Sequence, residues 1–219
     1  MLRIQMIGLA VVAVVMMSAV AASGAFAAHQ WLINGAAIAA ATKVHSLGLL
    51  LLEDSGTGTQ LHCHGSAAGT VGPGAADLTQ SITVELLGTN DKIPCTFDKA
   101  GLCKSNAAVT ALAVNLPWKT EIVLVGTEIR DLLLSGGAGA PGWKVNCTNI
   151  LGGGSEDICT EEAGKMATTA LANVTAGVLA TFDAKTVNAS CTLGGKETGV
   201  VRGPVTTFSP SSTEKLTFD

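Results

Sequence analysis

Tyrosine is absent from this chain, and the other aromatics amount to three tryptophans and five phenylalanines. Outer-membrane barrels carry girdles of aromatic side chains at both bilayer surfaces, so a chain this poor in them is not expected to span a membrane with strands. Charge is also scarce: Asp, Glu, Lys and Arg make up 14% of the residues, against roughly 25% in a typical domain. No basic run occurs, and 17 acidic residues outnumber 13 basic ones, which leaves no electrostatic footprint for nucleic acid. The short catalytic signatures are missing too. There is no G-x-S-x-G, no H-E-x-x-H and no phosphate-cradling G-x-x-x-x-G-K-[ST]. In "GGGSED" the second glycine that a nucleophile elbow requires after Ser155 is not there.

What is present starts with an export signal. Arg3 gives a positive start, "MIGLAVVAVVMMSAVAA" over 6–22 is uncharged and apolar, and Ala25-Phe26-Ala27 satisfies the small-residue cleavage rule. The apolar run is at the short edge of the spanning range. Residues 1–27 therefore read as a cleavable Sec-type signal peptide, and 28–219 as the mature chain. Downstream there is no second long apolar run, so no transmembrane segment is expected after cleavage, and the protein is placed outside the cell or in the envelope.

The mature region is rich in glycine and in short alternating runs. "QSITVELL" (80–87) puts Ile82, Val84 and Leu86 on one face, and "TALAVNL" (110–116) does so with Leu112, Val114 and Leu116. "WKVNCT" (143–148) alternates Trp143, Val145 and Cys147 against polar partners, "NVTAGVLATFD" (173–183) carries Val174 to Phe182 on one side, and "KLTF" closes with Leu216 and Phe218. A two-residue period of this kind is the signal of half-buried strands. The more continuously apolar stretches 44–54 and 120–126 fit central strands. One short helix is allowed within 160–173, where Thr160 makes a plausible N-cap. The expected fold is a single all-β domain over 28–219, an antiparallel β-sandwich or closed barrel of about ten to thirteen short strands.

Six cysteines, at 63, 95, 103, 147, 159 and 191, all follow the cleavage site, and an even count in an exported chain reads as a disulfide framework. Strand phase sends Cys63, Cys147 and Cys191 inward. The local pairs Cys95–Cys103 and Cys147–Cys159 close the shortest loops, which leaves Cys63 with Cys191.

"LHCHG" holds the most conspicuous candidate ligands. On a strand, His62 and His64 share one face and Cys63 takes the other. His-x-His is a real metal geometry, but a third ligand is needed and none is evident. The cupin pattern places an acid a few residues on; here no acid occurs before Asp77. Glu156, Asp157, Glu161 and Glu162 match no calcium-loop spacing and read as a solvated loop. Of the tryptophans, Trp31, Trp118 and Trp143, the one after Pro117 stands at a strand corner, where an exposed ring would stack on a sugar. Asn146, Asn173 and Asn188 are sequons by pattern.

"HQWLING", "NLPWKTE", "GWKVNC", "DIC" and "ATFD…ASCTLGGKETGVVRG" together resemble a group of exported bacterial β-rich, cysteine-containing proteins with no established activity. The resemblance runs along most of the mature length and implies no function. The residues themselves favour an exported, non-enzymatic β domain with a structural or interaction role, needing no cofactor, its partner a protein or glycan of the envelope or extracellular space. The alternatives are a small-molecule or glycan-binding β domain and a metal-dependent enzyme built on His62 and His64.

Overall fold

The computed structural model describes residues 29–83, 92–101, 103–104, 109–161, 168–182 and 189–219. The expected signal segment, Val84 and Leu86, and the sequon at Asn188 lie outside the described residues.

The chain is all-β, and no described residue is helical. β1 (Trp31–Ile33) and β2 (Ala36–Ala37) form a hairpin about Asn34-Gly35. Both turn residues have positive φ, 52° and 77°, the pattern that suits the right-handed twist of the flanking strands. Thirteen further strands make one sheet: β3 (Thr42–Asp54), β4 (Thr59–Val71), β5 (Ala76–Thr83), β6 (Lys92–Ala100), β7 (Val109–Val114), β8 (Trp118–Val125), β9 (Glu128–Gly136), β10 (Gly142–Thr148), β11 (Gly154–Glu161), β12 (Thr168–Val174), β13 (Gly177–Phe182), β14 (Ala189–Cys191) and β15 (Gly195–Phe208). β16 (Leu216–Phe218) then pairs with β1. Every pairing is antiparallel.

Between the two architectures left open by the sequence, the strands choose closure. The pairings β13–β15 and β4–β6 bend the sheet into two rings of eight strands. The first ring is β3-β4-β5-β8-β9-β12-β13-β15, and the second is β3-β4-β6-β7-β10-β11-β14-β15. β3, β4 and β15 belong to both. Length makes this possible: 13 residues in β3 and β4 and 14 in β15 span about 40 Å at roughly 3.3 Å each. Along β4, Thr59–Cys63 pair with β6 and Ser66–Val71 with β5. Along β15, Gly195 and Gly199 pair with β14 and Gly203–Thr207 with β13. The apolar run 44–54 is thus a strand with neighbours on both sides, β4 along its whole length and β15 at 45–48 and 51–54.

Two apolar clusters fill the ends. Leu52, Leu61, Val109, Ala111, Trp143 and Val145 pack the second ring. Trp31, Ile38, Leu216 and Phe218, brought in by β1, β2 and β16, close the far end of the first ring with Val44 and Val178. The C-terminal strand is also tied down by Asn173, whose amide donates to the Phe218 carbonyl (2.8 Å) and accepts from its N–H (3.0 Å).

Several expectations need correction. The disulfides are Cys63–Cys95, Cys103–Cys147 and Cys159–Cys191, not Cys95–Cys103, Cys147–Cys159 and Cys63–Cys191. Sheet register decides them. Cys63 faces Cys95 across β4–β6, and Cys159 faces Cys191 across β11–β14, with Cα separations of 4.2 and 4.0 Å. Cys103 bridges to Asn149, two residues beyond Cys147. The entropic advantage of the shorter loops is only about 1 kcal/mol, too little to displace a strand from its partner. All three bonds staple the second ring, and they fit an oxidising, extracellular setting. The 173–183 run is not one strand: it breaks at Thr175-Ala176 into β12 and β13. In β7 the buried residues are Val109 and Ala111, so the core takes the face opposite Leu112 and Val114. The allowed helix is absent from the described part of 160–173, where Thr160–Glu161 end β11 and 168–173 lie in β12. Among the described residues no helix is long and apolar enough to cross a membrane.

Candidate functional site

Beyond Cys63, the inward positions of β4 are Gly65, Ala67 and Gly69, and on β3 they are Ser46 and Gly48. Side chains this small cannot fill an eight-stranded ring, whose interior is just wide enough for packed side chains or one small ligand. A cavity of about 220 Å³ results, bounded by Val44 and Val71 at one end and Leu52 and Trp143 at the other. Trp118, Leu133, Ala180 and Phe182 complete its walls. Gly69 is required for a further reason. A Cβ there would collide with the Leu78 carbonyl, where the β4–β5 register shifts at Ala68/Gly69.

One side of this apolar lumen is polar. Asp77 on β5 sits opposite Thr120 on β8, and Asp131 on β9 sits opposite Thr169 on β12. All four line the cavity, as a belt over four neighbouring strands. Thr120 and Thr169 are only 8% and 5% exposed. Asp77 Oδ1, Asp131 Oδ1 and both threonine hydroxyl oxygens are buried without a hydrogen-bond partner. Each unpartnered group of this kind costs about 1–3 kcal/mol.

The electrostatics follow from that burial. Burial raises the Asp77 pKa well above the usual carboxylate value, and the neighbouring Asp131 charge raises it further. Burial pushes Asp131 up to about 6, against the opposing pull of the Thr120 hydroxyl and the Glu121 N–H. Thr120 lies near enough to act on Asp131 electrostatically but falls short of hydrogen-bond geometry, which leaves its oxygen unsatisfied. Among the described residues no Lys, Arg or His lines the cavity. Arg130, next to Asp131 in sequence, pairs with Glu128 at 2.6 Å.

Most of the residues singled out by sequence fall elsewhere. His62 and His64 are exposed on the outer face of β4. His62 Nε2 lies 3.8 Å from Asp98 Oδ2, but no third ligand joins the two histidines among the described residues. The only acid–cysteine grouping found among those residues, Asp157 with Cys159 and Cys191, has both sulfurs committed to a disulfide. The four acids of the glycine loop are dispersed. Glu156 pairs with Lys144 (3.1 Å), Glu161 lines the lumen, and Glu162 lies outside the described residues. Asp157 accepts from the Thr192 hydroxyl (3.1 Å) and the Leu193 N–H (3.0 Å); burial and nearby Asp54 raise its pKa. That pair fastens turns and borders a void of only about 20 Å³. Trp118 also lines the cavity, half-buried, with its indole N–H donating to the Val114 carbonyl (2.8 Å). Of the sequons, Asn146 is exposed on β10, whereas the amide of Asn173 is engaged with Phe218.

Asp77 and Asp131 went unrecognised as site residues in the sequence. The available signal was phase. Asp131 shares a strand face with Ile129 and Leu133, and a carboxylate on an apolar face is out of place. No family model, curated protein or solved structure matches the chain.

Proposed function

We propose that the protein is exported by residues 1–27 and, outside the cytoplasm, holds a small and largely apolar molecule in the first ring without transforming it. The observation that carries this reading is the cavity itself. Apolar cavities of about 150 Å³ already admit benzene, so a lumen of about 220 Å³ suits a ligand of that order. A purely structural domain would gain stability by filling the space, because an empty core volume is destabilising. The three disulfides support maturation in an oxidising compartment. A metal enzyme has less support, since His62 and His64 face away from the lumen. Sugar stacking on Trp118 also has less support, because its ring lines the lumen and its N–H is already bonded.

The test uses the secreted, mature chain and benzyl alcohol as a neutral probe of the right size. At a hundredfold excess over its Kd, the probe is expected to raise the melting temperature by about 5–10 °C. Ala67→Phe fills the lumen and should abolish the rise. No shift in the wild type, or an equal shift in Ala67→Phe, would remove the basis for a binding lumen.

A further inference from the structure

We propose that the lumen selects a molecule bearing one protonated amine on an apolar body, with the ammonium held between the carboxyl groups of Asp77 and Asp131. This rests on the lumen being a binding site and adds the chemistry of what it binds.

The belt on β5, β8, β9 and β12 supplies the argument. Its four unpartnered atoms are two carboxylate oxygens and two hydroxyl oxygens. An ionised carboxylate only accepts hydrogen bonds, and a hydroxyl can accept. Such a belt therefore calls for a donor-rich, positively charged group, and among the described residues the cavity wall has no basic side chain to serve as one. An ammonium brings three donors and one charge. Two buried carboxyls side by side resist full ionisation, because burial raises both and the Asp131 charge raises Asp77 further. A cation set between them offsets that cost. The rest of the wall is mostly apolar, with Gly48, Ala67, Ala180 and Phe182; the hydroxyls of Ser46 and Thr207 bond each other (2.8 Å), and Glu161 adds a further carboxylate. Calcium or magnesium fits less well, because each needs six or more oxygen ligands and the lumen is mostly apolar. A free sugar would leave most of its hydroxyls facing that apolar wall.

The decisive experiment compares three probes of one shape by titration calorimetry at pH 7.5: benzylammonium, benzyl alcohol and toluene. Benzylammonium is expected to bind at least tenfold tighter than benzyl alcohol, with intermolecular nuclear Overhauser contacts from its methylene to the Thr120 and Thr169 methyls. In Asp77→Asn/Asp131→Asn the preference should vanish while benzyl alcohol still binds. The wild-type comparison and the contacts stand even if that variant fails to fold. Equal or weaker binding of the amine, contacts elsewhere, or a preference that survives the double substitution would overturn the assignment while leaving the neutral lumen intact. Displacement of the amine by calcium or magnesium alone would assign the belt to a metal instead. Failure of all three probes would remove the lumen reading as well.

Discussion

At the scale of single residues, the informative positions are those where a polar group stands on an inward face. Asp77, Asp131, Thr120 and Thr169 each leave a buried oxygen there without a partner, and natural cores usually admit such groups only where function needs them. The consequence for stability has a definite sign. The folded pKa of Asp131, about 6, lies above the roughly 3.9 of an unfolded carboxyl. The fold therefore binds this proton more tightly than the open chain does. That stabilisation is complete below about pH 4 and is lost as pH rises through about 6, amounting to about 3 kcal/mol. Asp77 acts in the same direction. Asp131→Asn should accordingly raise stability at pH 7 by about 1–3 kcal/mol, less whatever its own unpaired amide costs, and change little at pH 4. Urea melts of both proteins at the two pH values measure this. A wild type more stable at pH 7 than at pH 4 would contradict the burial of the pair.

Among elements, β4 repeats the theme at greater length. Its first half carries Leu61 and Cys63 inward and packs the second ring, while its second half carries Gly65, Ala67 and Gly69 inward and leaves the first ring hollow. The same strand changes partner from β6 to β5 where its side chains change size. The staples follow this division, because each joins strands or strand ends of the second ring. Cys159→Ser/Cys191→Ser opens a closure of sequence separation 32. It is expected to lower stability by about 3–4 kcal/mol in the chain-entropy picture. Benzyl alcohol binding in the first ring should persist, because neither serine opens a wall of the lumen. A variant that folds but no longer binds the probe would show that the rings are coupled more closely than this division implies.

For the molecule as a whole, the sharing of β3, β4 and β15 means that neither ring is complete without the other. Independent melting of two units is therefore not expected. Under non-reducing conditions, tryptophan fluorescence and far-ultraviolet circular dichroism should report one coincident urea transition. Trp143, in the core of the second ring, and Trp118, in the wall of the first, place fluorescence reporters in both. Two separated transitions would mean that the shared strands do not couple the rings.

The residue pattern by itself determined the all-β class and the inward phase of Trp143, Val145, Leu216 and Phe218, because alternation along a strand is a local property. It also committed six cysteines to crosslinks, since an even count needs no knowledge of geometry. It separated Cys63 from His62 and His64 by face, which left the histidines outside and the cysteine within. Only the tertiary structure decided the disulfide partners, the closure into two rings, the break at Thr175-Ala176 and the meeting of Asp77 with Asp131. Each of these depends on which strands become neighbours. That choice is made by pairings far apart along the chain, such as β4 with β6 and β13 with β15, and the two-residue period carries no information about it.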